Sequence, residues 1–120
     1  MSFLVGLSCQ SNPDLQLARH FIDAYYVFAD QKKALTMATD QAAQQLTKEI
    51  ELLQDVSDRQ DAYRSRDVLF ELKKQFTENN TATFLFELTI KIPDLSDRKE
   101  LINITVDRVA HKVKYFGTIQ

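Results

Sequence analysis

The strongest constraint on the fold of this chain is the ten-residue segment 83–92, which reads TFLFELTIKI. Successive side chains of a β-strand point to opposite faces, so residues at every second position share one face. Here one set of alternate positions is entirely apolar, whereas the other mixes hydroxyl, charged and apolar side chains. The pattern predicts a long strand with one buried face, which is made by Phe84, Phe86, Leu88, Ile90 and Ile92.

Three further segments show the same alternation and predict three more strands of an antiparallel sheet. The sequences TENNT and PDLSD between them favour turns, and Ala110 with His111 predicts a two-residue hairpin turn before the last strand. We assign no catalytic role to His111. On these strands the predicted inner face contains Val68, Phe70, Leu72, Ile102, Ile104, Val106, Val113, Tyr115 and Ile119.

The N-terminal part of the chain predicts three helices, which are the cover that the sheet needs. Asn12 and Pro13 suit the start of a helix that is expected to run to about Asp30. Asp30 is the predicted start of a short second helix, and Thr39 or Asp40 that of a third. The stripe of the first helix that faces the sheet is predicted to contain Leu17, Ala18, Phe21, Ala24, Tyr25 and Phe28.

The composition indicates one globular domain. The 120 residues are 44% hydrophobic and 27% charged, which is enough apolar material for a single core. The net charge is −2, and basic and acidic residues alternate along the chain without forming blocks, so the sequence offers no clustered basic surface of the kind that nucleic-acid binding requires. We interpret residues 1–11 as an N-terminal segment or signal remnant and residues 12–120 as one α+β domain. Within it, the polar segment 55–67 is predicted to connect the helices to the strands.

The order of these elements resembles the nuclear-transport-factor-two-like superfamily, whose fold is also called the cystatin-like cone. The similarity covers about residues 13–116, from PDLQLARHFIDAYYVFADQKKALTMATDQAAQQL to TATFLFELTIKIPDLSDRKELINITVDRVAHKVKYFG. It implies three N-terminal helices packed on a curved four-stranded antiparallel sheet. It does not imply one activity, because the superfamily contains dehydratases, isomerases, transport factors and secretion-system subunits.

The predicted inner face favours binding over catalysis, because it lacks a pair of titratable groups suited to acid and base chemistry. Arg108 and Lys74 continue the inward alternation at strand ends, where a guanidinium attracts a carboxylate or phosphate. No cofactor and no metal site are expected. The candidate ligand pocket contains Tyr25, Phe70, Phe84, Phe86, Ile104, Arg108 and Tyr115.

Two alternatives to a binding domain stay open. One is a small lyase or isomerase of the same fold, with Tyr25, Asp23, His20 or Arg108 at the opening of the cone. The other is a structural subunit of an envelope assembly. A filled interior and a broad apolar outer face are expected of such a subunit.

The outer face of the sheet is predicted to be mixed in character, with apolar residues among charged and hydroxyl ones. Sheet-to-sheet homodimers are frequent in the proteins that this chain resembles. We therefore expect a homodimer that forms through the outer face of the sheet. The apolar residues predicted on this face are Leu69, Leu85, Leu101 and Phe116.

The first residues carry the only signal for location. The apolar run 3–7 is too short for a complete secretory signal. Ser8 before Cys9, followed by a polar tether, resembles the end of a bacterial lipoprotein signal, which makes Cys9 a candidate lipid anchor at the bacterial envelope. The alternative is a cytoplasmic domain whose apolar N-terminal segment packs on the fold. A small apolar ligand or a partner protein is the expected partner, and membrane contact is expected only through Cys9.

Overall fold

The computed structural model describes residues 12–53 and 67–119, and it has an α+β fold. Three helices precede one antiparallel sheet of four strands in the order β1-β2-β3-β4, as the sequence predicts. Cys9 and most of the predicted connection lie outside the described residues. The elements are α1 (Pro13–Ile22), a π-helical turn (Asp23–Val27), α2 (Gln31–Leu35), α3 (Asp40–Leu53), β1 (Asp67–Glu78), β2 (Thr81–Lys91), β3 (Arg98–Asp107) and β4 (Lys112–Ile119).

Side-chain caps start the first two helices where the sequence predicts them. The Asn12 side chain accepts a hydrogen bond from the Leu15 amide at 3.1 Å, and Pro13 opens α1. The Asp30 carboxylate likewise accepts from the Lys33 amide at 3.0 Å. Each cap satisfies an amide that has no partner within the first helical turn. These predictions are confirmed.

The first helix does not continue unchanged to Asp30, because its backbone widens after Ile22. The Phe28 amide donates to the Asp23 carbonyl five residues earlier, at 2.9 Å, which is the hydrogen bond of a π-helical turn. The wider turn contains one residue more than an α-helical turn, so the inward position expected for Phe28 is occupied by the next residue. Ala29 is therefore buried, and Phe28 is 61% exposed. The predicted inward position of Phe28 is therefore wrong.

The core lies between the helices and the inner face of the sheet. Phe84, Phe86 and Ile104 are almost completely buried, as predicted. Phe21 of α1 packs against Phe116 of β4, with 4.9 Å between ring centroids. The largest fully buried side chains are Phe21, Phe84, Phe86, Phe116, Ile22, Leu46, Leu88, Ile102, Ile104, Val106 and Val113.

A β-bulge in β4 reverses the predicted inner face of its second half. Val113 pairs with Val106, but Thr105 pairs with Tyr115, so Lys114 is an extra residue in the ladder. One extra residue moves every later side chain to the opposite face. Phe116 is consequently inside and 2% exposed, whereas Tyr115 lies on the outer face and is 41% exposed. The predicted inward position of Tyr115 and the outward position of Phe116 are both wrong, and Ile119 also faces outward, opposite Leu101.

A second bulge, at Lys73 of β1, reverses that strand in the same way. Leu72 pairs with Phe86 in the inner register, but Lys74 pairs with Leu85 in the outer one. Lys74 therefore lies on the outer face, and its predicted inward position is wrong. The residue that takes the inner position is Gln75, opposite Phe84.

The connection between β3 and β4 is four residues long, not two as predicted, and it is residues 108–111. The Asp107 carboxylate accepts hydrogen bonds from the amides of Val109 and Ala110, at 2.9 and 3.1 Å. His111 adopts a positive φ of 56° and donates its amide to the Asp107 carbonyl. This ordered turn holds Arg108 near the start of α1.

The start of α3 is fixed to the edge of β4. The Thr39 amide donates to the Val113 carbonyl at 2.8 Å, and the Val113 amide donates to the Met37 carbonyl at 2.7 Å. This short parallel bridge covers the first part of an edge strand that would otherwise leave its polar backbone exposed. It also fixes the position of the first turn of α3 relative to the sheet.

Candidate functional site

A cleft of about 480 Å³ opens at the end of the sheet where β2 ends and β3 begins. Its floor is apolar and consists of Val68, Leu88 and Ile90 from the inner face. Its walls come from the π-helical turn and from the end of α3. The residues that line it are Tyr25, Tyr26, Ala29, Gln31, Glu49, Leu52, Leu53, Val68, Leu88, Ile90, Arg98 and Glu100. A volume of this size suits a small organic molecule.

The π-helical turn brings two consecutive tyrosines to this cleft. In a regular α-helix, neighbouring residues point about 100° apart, so Tyr25 and Tyr26 would occupy different sides. Here the two rings meet edge to face, with centroids 4.7 Å apart and planes at 82°. Both also lie near Phe116, at 4.8 and 6.4 Å between centroids. π-helical turns are frequent at functional sites, which makes this irregularity relevant to the cleft.

Glu49 is held in the cleft by neutral donors. The Tyr25 hydroxyl lies 2.7 and 2.8 Å from the two carboxylate oxygens of Glu49, and the Gln45 amide donates to one of them at 3.1 Å. Gln41 in turn donates to Gln45 at 2.9 Å, so the three α3 side chains form a line with a spacing of four residues. The arrangement fixes the position of a carboxylate beside an apolar floor.

A second carboxylate reaches the cleft from the start of β3. Glu100 and Arg98 lie opposite Leu88 and Ile90, so they belong to the inner face of the sheet. The Arg98 guanidinium contacts the Glu100 carboxylate at 2.8 Å. The Arg98 side chain is 69% exposed and that of Glu100 is 22% exposed. Arg98 thus lies at the rim, and Glu100 lies deeper.

Tyr26 lines the cleft, and its pKa departs clearly from the usual value. Burial of its hydroxyl raises the pKa of Tyr26 far above the ordinary value, and the nearby Glu100, Glu49 and Tyr115 raise it further. Tyr26 is therefore a neutral hydrogen-bonding group throughout the physiological range. The negative charges of Glu49 and Glu100 therefore both act on the Tyr26 hydroxyl.

The predicted pocket residues are divided between the cleft and the core. Tyr25 lines the cleft, whereas Phe84, Phe86 and Ile104 are core residues that do not line it. Phe70 is half-buried beside Phe86, at 5.9 Å between ring centroids, and the Arg19 guanidinium lies 6.0 Å from its ring centre. Tyr115 faces the other side of the sheet.

Arg108 lies away from the cleft, near the start of α1. Its guanidinium forms an ion pair with Asp14 at 3.2 Å and donates to the Asn79 carbonyl at 3.4 Å. His111 approaches the same Asp14 carboxylate at 3.8 Å. Arg108 and Asp14 border a second, smaller depression of about 360 Å³ that also includes Phe84. The Arg108 side chain therefore connects the β3–β4 turn to the start of α1.

Two of the other predicted catalytic candidates do not line the cleft either. His20 is exposed on α1, and Asp23 is half-buried at the start of the π-helical turn. Of the four residues proposed for an enzyme, the structure places only Tyr25 at the cleft.

Sequence reasoning missed five polar residues of the cleft, which are Tyr26, Gln31, Glu49, Arg98 and Glu100. Arg98 and Glu100 precede Ile102 by four and two residues, so the alternation that predicts the inner face already includes them. Glu49 follows the buried Leu46 by three residues on α3, which is also a readable signal. Tyr26 had no such signal, because regular helical periodicity places it away from the sheet.

Within residues 12–53 and 67–119, no group of three or more His, Cys, Asp or Glu side chains is arranged to hold a metal ion. Over the same residues, none of the helices has both the length and the apolar character needed to span a bilayer. No protein-family model, no curated protein and no solved structure matches this chain. The geometry of the cleft is therefore the basis for any statement about function.

Proposed function

We propose that this chain is a small binding domain that holds a molecule with an apolar body in the cleft. The observation that carries the proposal is the combination of an apolar floor and a few fixed polar groups in about 480 Å³. Binding sites for small molecules commonly combine these features, since apolar contact supplies affinity and a few polar groups fix orientation. Among the described residues, the middle of the inner sheet face consists of completely buried side chains such as Phe86 and Ile104, so it supports the cleft from below.

A fluorescence titration with N-phenyl-1-naphthylamine, a neutral apolar probe, tests this function. We expect saturable binding at one site per chain. Leu52 lines the cleft and is 77% exposed, so Leu52→Ser should weaken binding about fivefold by removing apolar contact. Leu95→Ser is the matched control, because Leu95 is 66% exposed but does not line the cleft. Absence of saturable binding, or equal loss in both variants, would contradict the proposal.

A lyase or isomerase is the second proposal, and one observation favours it. Glu49 is a carboxylate held by Tyr25 beside an apolar floor, which is a suitable arrangement for abstraction of a proton from a carbon acid. Exchange of deuterium from D₂O into the position next to the carbonyl of 2-cyclohexenone would test this activity. Exchange that is lost in Glu49→Gln supports the enzyme. Exchange at the uncatalysed rate in the unmodified chain contradicts it.

We also propose a homodimer formed through the outer face of the sheet. Exposed apolar residues support it: Leu69, Phe76, Leu101, Tyr115 and Ile119 are each between 37% and 58% exposed. The buried Asn103 side-chain oxygen on the same face has no hydrogen-bond partner among the described residues. Sedimentation velocity should show a dimer that dissociates in Leu101→Glu. Val109→Glu is the control, since Val109 lies in the β3–β4 turn and is 78% exposed. A monomer, or a dimer that both variants leave intact, contradicts this interface.

Membership of the nuclear-transport-factor-two-like superfamily and location at the bacterial envelope are proposals that rest on the sequence. The helix and strand order supports the first, and the Ser8-Cys9 pattern supports the second. Metabolic labelling with an alkyne fatty acid tests the lipid anchor. Label on the natural chain that is absent from Cys9→Ala supports envelope attachment. Equal label in both chains, or no label in either, contradicts a lipid anchor at Cys9. A structural subunit of an envelope assembly remains the third proposal, and it predicts a dimer without ligand binding.

A further inference from the structure

The charges that line the cleft do not cancel. Among the described residues that line it, Glu49, Glu100 and Arg98 are charged, and their charges sum to −1. Arg98 is at the rim and already contacts Glu100 at 2.8 Å. The hydrogen bonds to Glu49, in contrast, come from Tyr25 and Gln45, which are neutral. Within residues 12–53 and 67–119, no ion pair involves Glu49, so its negative charge attracts a cation that enters the cleft.

The two carboxylates act on the same region of the cleft, although they come from α3 and β3. Both contribute to the raised pKa of Tyr26, which means that both place negative potential at the Tyr26 hydroxyl. Because Tyr26 stays neutral, it adds a polar wall without adding charge. A positive group that enters beside Tyr26 meets the attraction of both carboxylates.

The tyrosine rings add a second reason to expect a positive group. Tyr25 and Tyr26 line the cleft with their planes at 82° to each other. Aromatic faces attract cations, and proteins recognise organic ammonium groups by combining such rings with nearby negative charge. An inorganic cation would not use the apolar floor of Val68, Leu88 and Ile90, whereas an organic cation would.

We propose that the ligand of the cleft is a small organic cation. Its ammonium group lies near Glu49 and Glu100, and its apolar body lies on Val68, Leu88 and Ile90. This inference rests on the proposed binding function and names the chemical class of the ligand. A carboxylate or phosphate ligand is disfavoured, because the Arg98 guanidinium is paired with Glu100 and an anion would face two carboxylates.

Three probes of equal chain length test the charge preference at pH 7 and low salt: hexylammonium, hexanol and hexanoate. Dissociation constants come from NMR titration of the 120-residue chain, with Leu, Ile and Val methyl groups labelled. We expect hexylammonium to bind on the order of tenfold more tightly than hexanol, and hexanoate to bind most weakly. The preference should decrease with added salt, because the carboxylates are partly exposed.

Matched variants assign the preference to the cleft. Glu49→Gln keeps an acceptor for Tyr25 but removes the charge, so it should reduce the preference for hexylammonium over hexanol several-fold. Glu71→Gln is the control, because Glu71 is exposed on the outer face. If hexanol or hexanoate binds in the cleft as tightly as hexylammonium, the charge inference is overturned while the binding function stands. If none of the three shifts the cleft methyl groups, the binding function itself fails.

Discussion

The same strands form the middle of the inner sheet face and the floor of the cleft at its end, but the two regions differ in how closely their side chains are packed. In the middle, Phe21, Phe86 and Ile104 have no exposed surface at all. At the end of the sheet, the same strands continue as the floor of a cleft of about 480 Å³. Tyrosine and glutamate side chains line this cleft. The change occurs within four residues along β3, from Ile104 to Glu100.

The difference between the two regions comes from the way α1 ends. Its α-helical backbone covers the middle and stops at Ile22, after which the π-helical turn directs Tyr25 and Tyr26 towards the end of the sheet. The middle is therefore close-packed, and close packing supplies stability. The cleft is not filled by the described side chains, and we assign recognition to the residues that line it. Substitutions in the two regions test this division, and the largest effect is expected in the middle.

Truncation in the middle should cost the most stability. Phe86→Ala removes a completely buried ring and should lower the free energy of unfolding by about 3–5 kcal/mol, measured by urea denaturation. Phe28→Ala is the matched control, because Phe28 is 61% exposed after the π-helical turn. We expect the control to cost less than about 1 kcal/mol. Similar losses in the two variants would contradict both the core assignment and the corrected position of Phe28.

Stability should fall at alkaline pH because of Tyr26. Its pKa is raised in the folded chain, so below the unfolded-state pKa of about 10 both states keep the proton and Tyr26 adds no pH dependence. Above that pH the unfolded state loses the proton first, and folding becomes less favourable by up to about 1.4 kcal/mol per pH unit. Urea denaturation between about pH 9 and 11 should show a shallower decline in Tyr26→Phe. The same decline in both chains would contradict the burial of Tyr26.

Removal of the Tyr25 hydroxyl should have a moderate effect. Tyr25→Phe deletes the contact with Glu49 and should cost about 1–2 kcal/mol, since the acceptor is charged. A double-mutant cycle with Glu49→Gln separates this contact from the packing of the ring. A coupling energy near zero would show that the hydroxyl does not position Glu49, and the cleft would lose its fixed carboxylate.

The ion pair far from the cleft should matter least. Arg108 is 43% exposed where it meets Asp14, so Arg108→Gln should lower the free energy of unfolding by no more than about 0.5 kcal/mol. The difference should disappear in about 1 M NaCl, which screens such pairs. Loss of probe binding in this variant would be unexpected, and it would mean that Arg108 belongs to the binding site after all.

Most of the fold could be predicted from the sequence, because it depends on periodicity and caps. Alternation along residues 83–92 identifies β2 and its buried face, and Asn12 and Asp30 identify two helix starts. These signals are local, and the backbone follows them because an apolar face or an unpaired amide is costly in water.

Four of the misplaced side chains share one physical origin, which is the insertion of a residue into a regular element. Bulges at Lys73 and Lys114 and the π-helical turn each shift the phase of the residues after them, and this misplaced Lys74, Tyr115, Phe116 and Phe28. Such insertions depend on how strands and helices fit together in three dimensions, so a single segment does not reveal them. The cleft depends on the same irregularity, which explains why Tyr26 was missed.

Methyl NMR with N-phenyl-1-naphthylamine tests the central claim most directly, because the aromatic probe shifts the resonances of the methyl groups that it contacts. The cleft is claimed to bind and the middle is claimed to be filled. Binding should therefore shift the methyl groups of Val68, Leu88 and Ile90 and leave those of Ile104 and Val106 unchanged. Shifts centred on Ile104 and Val106, or no shifts on saturation with the probe, would contradict the account.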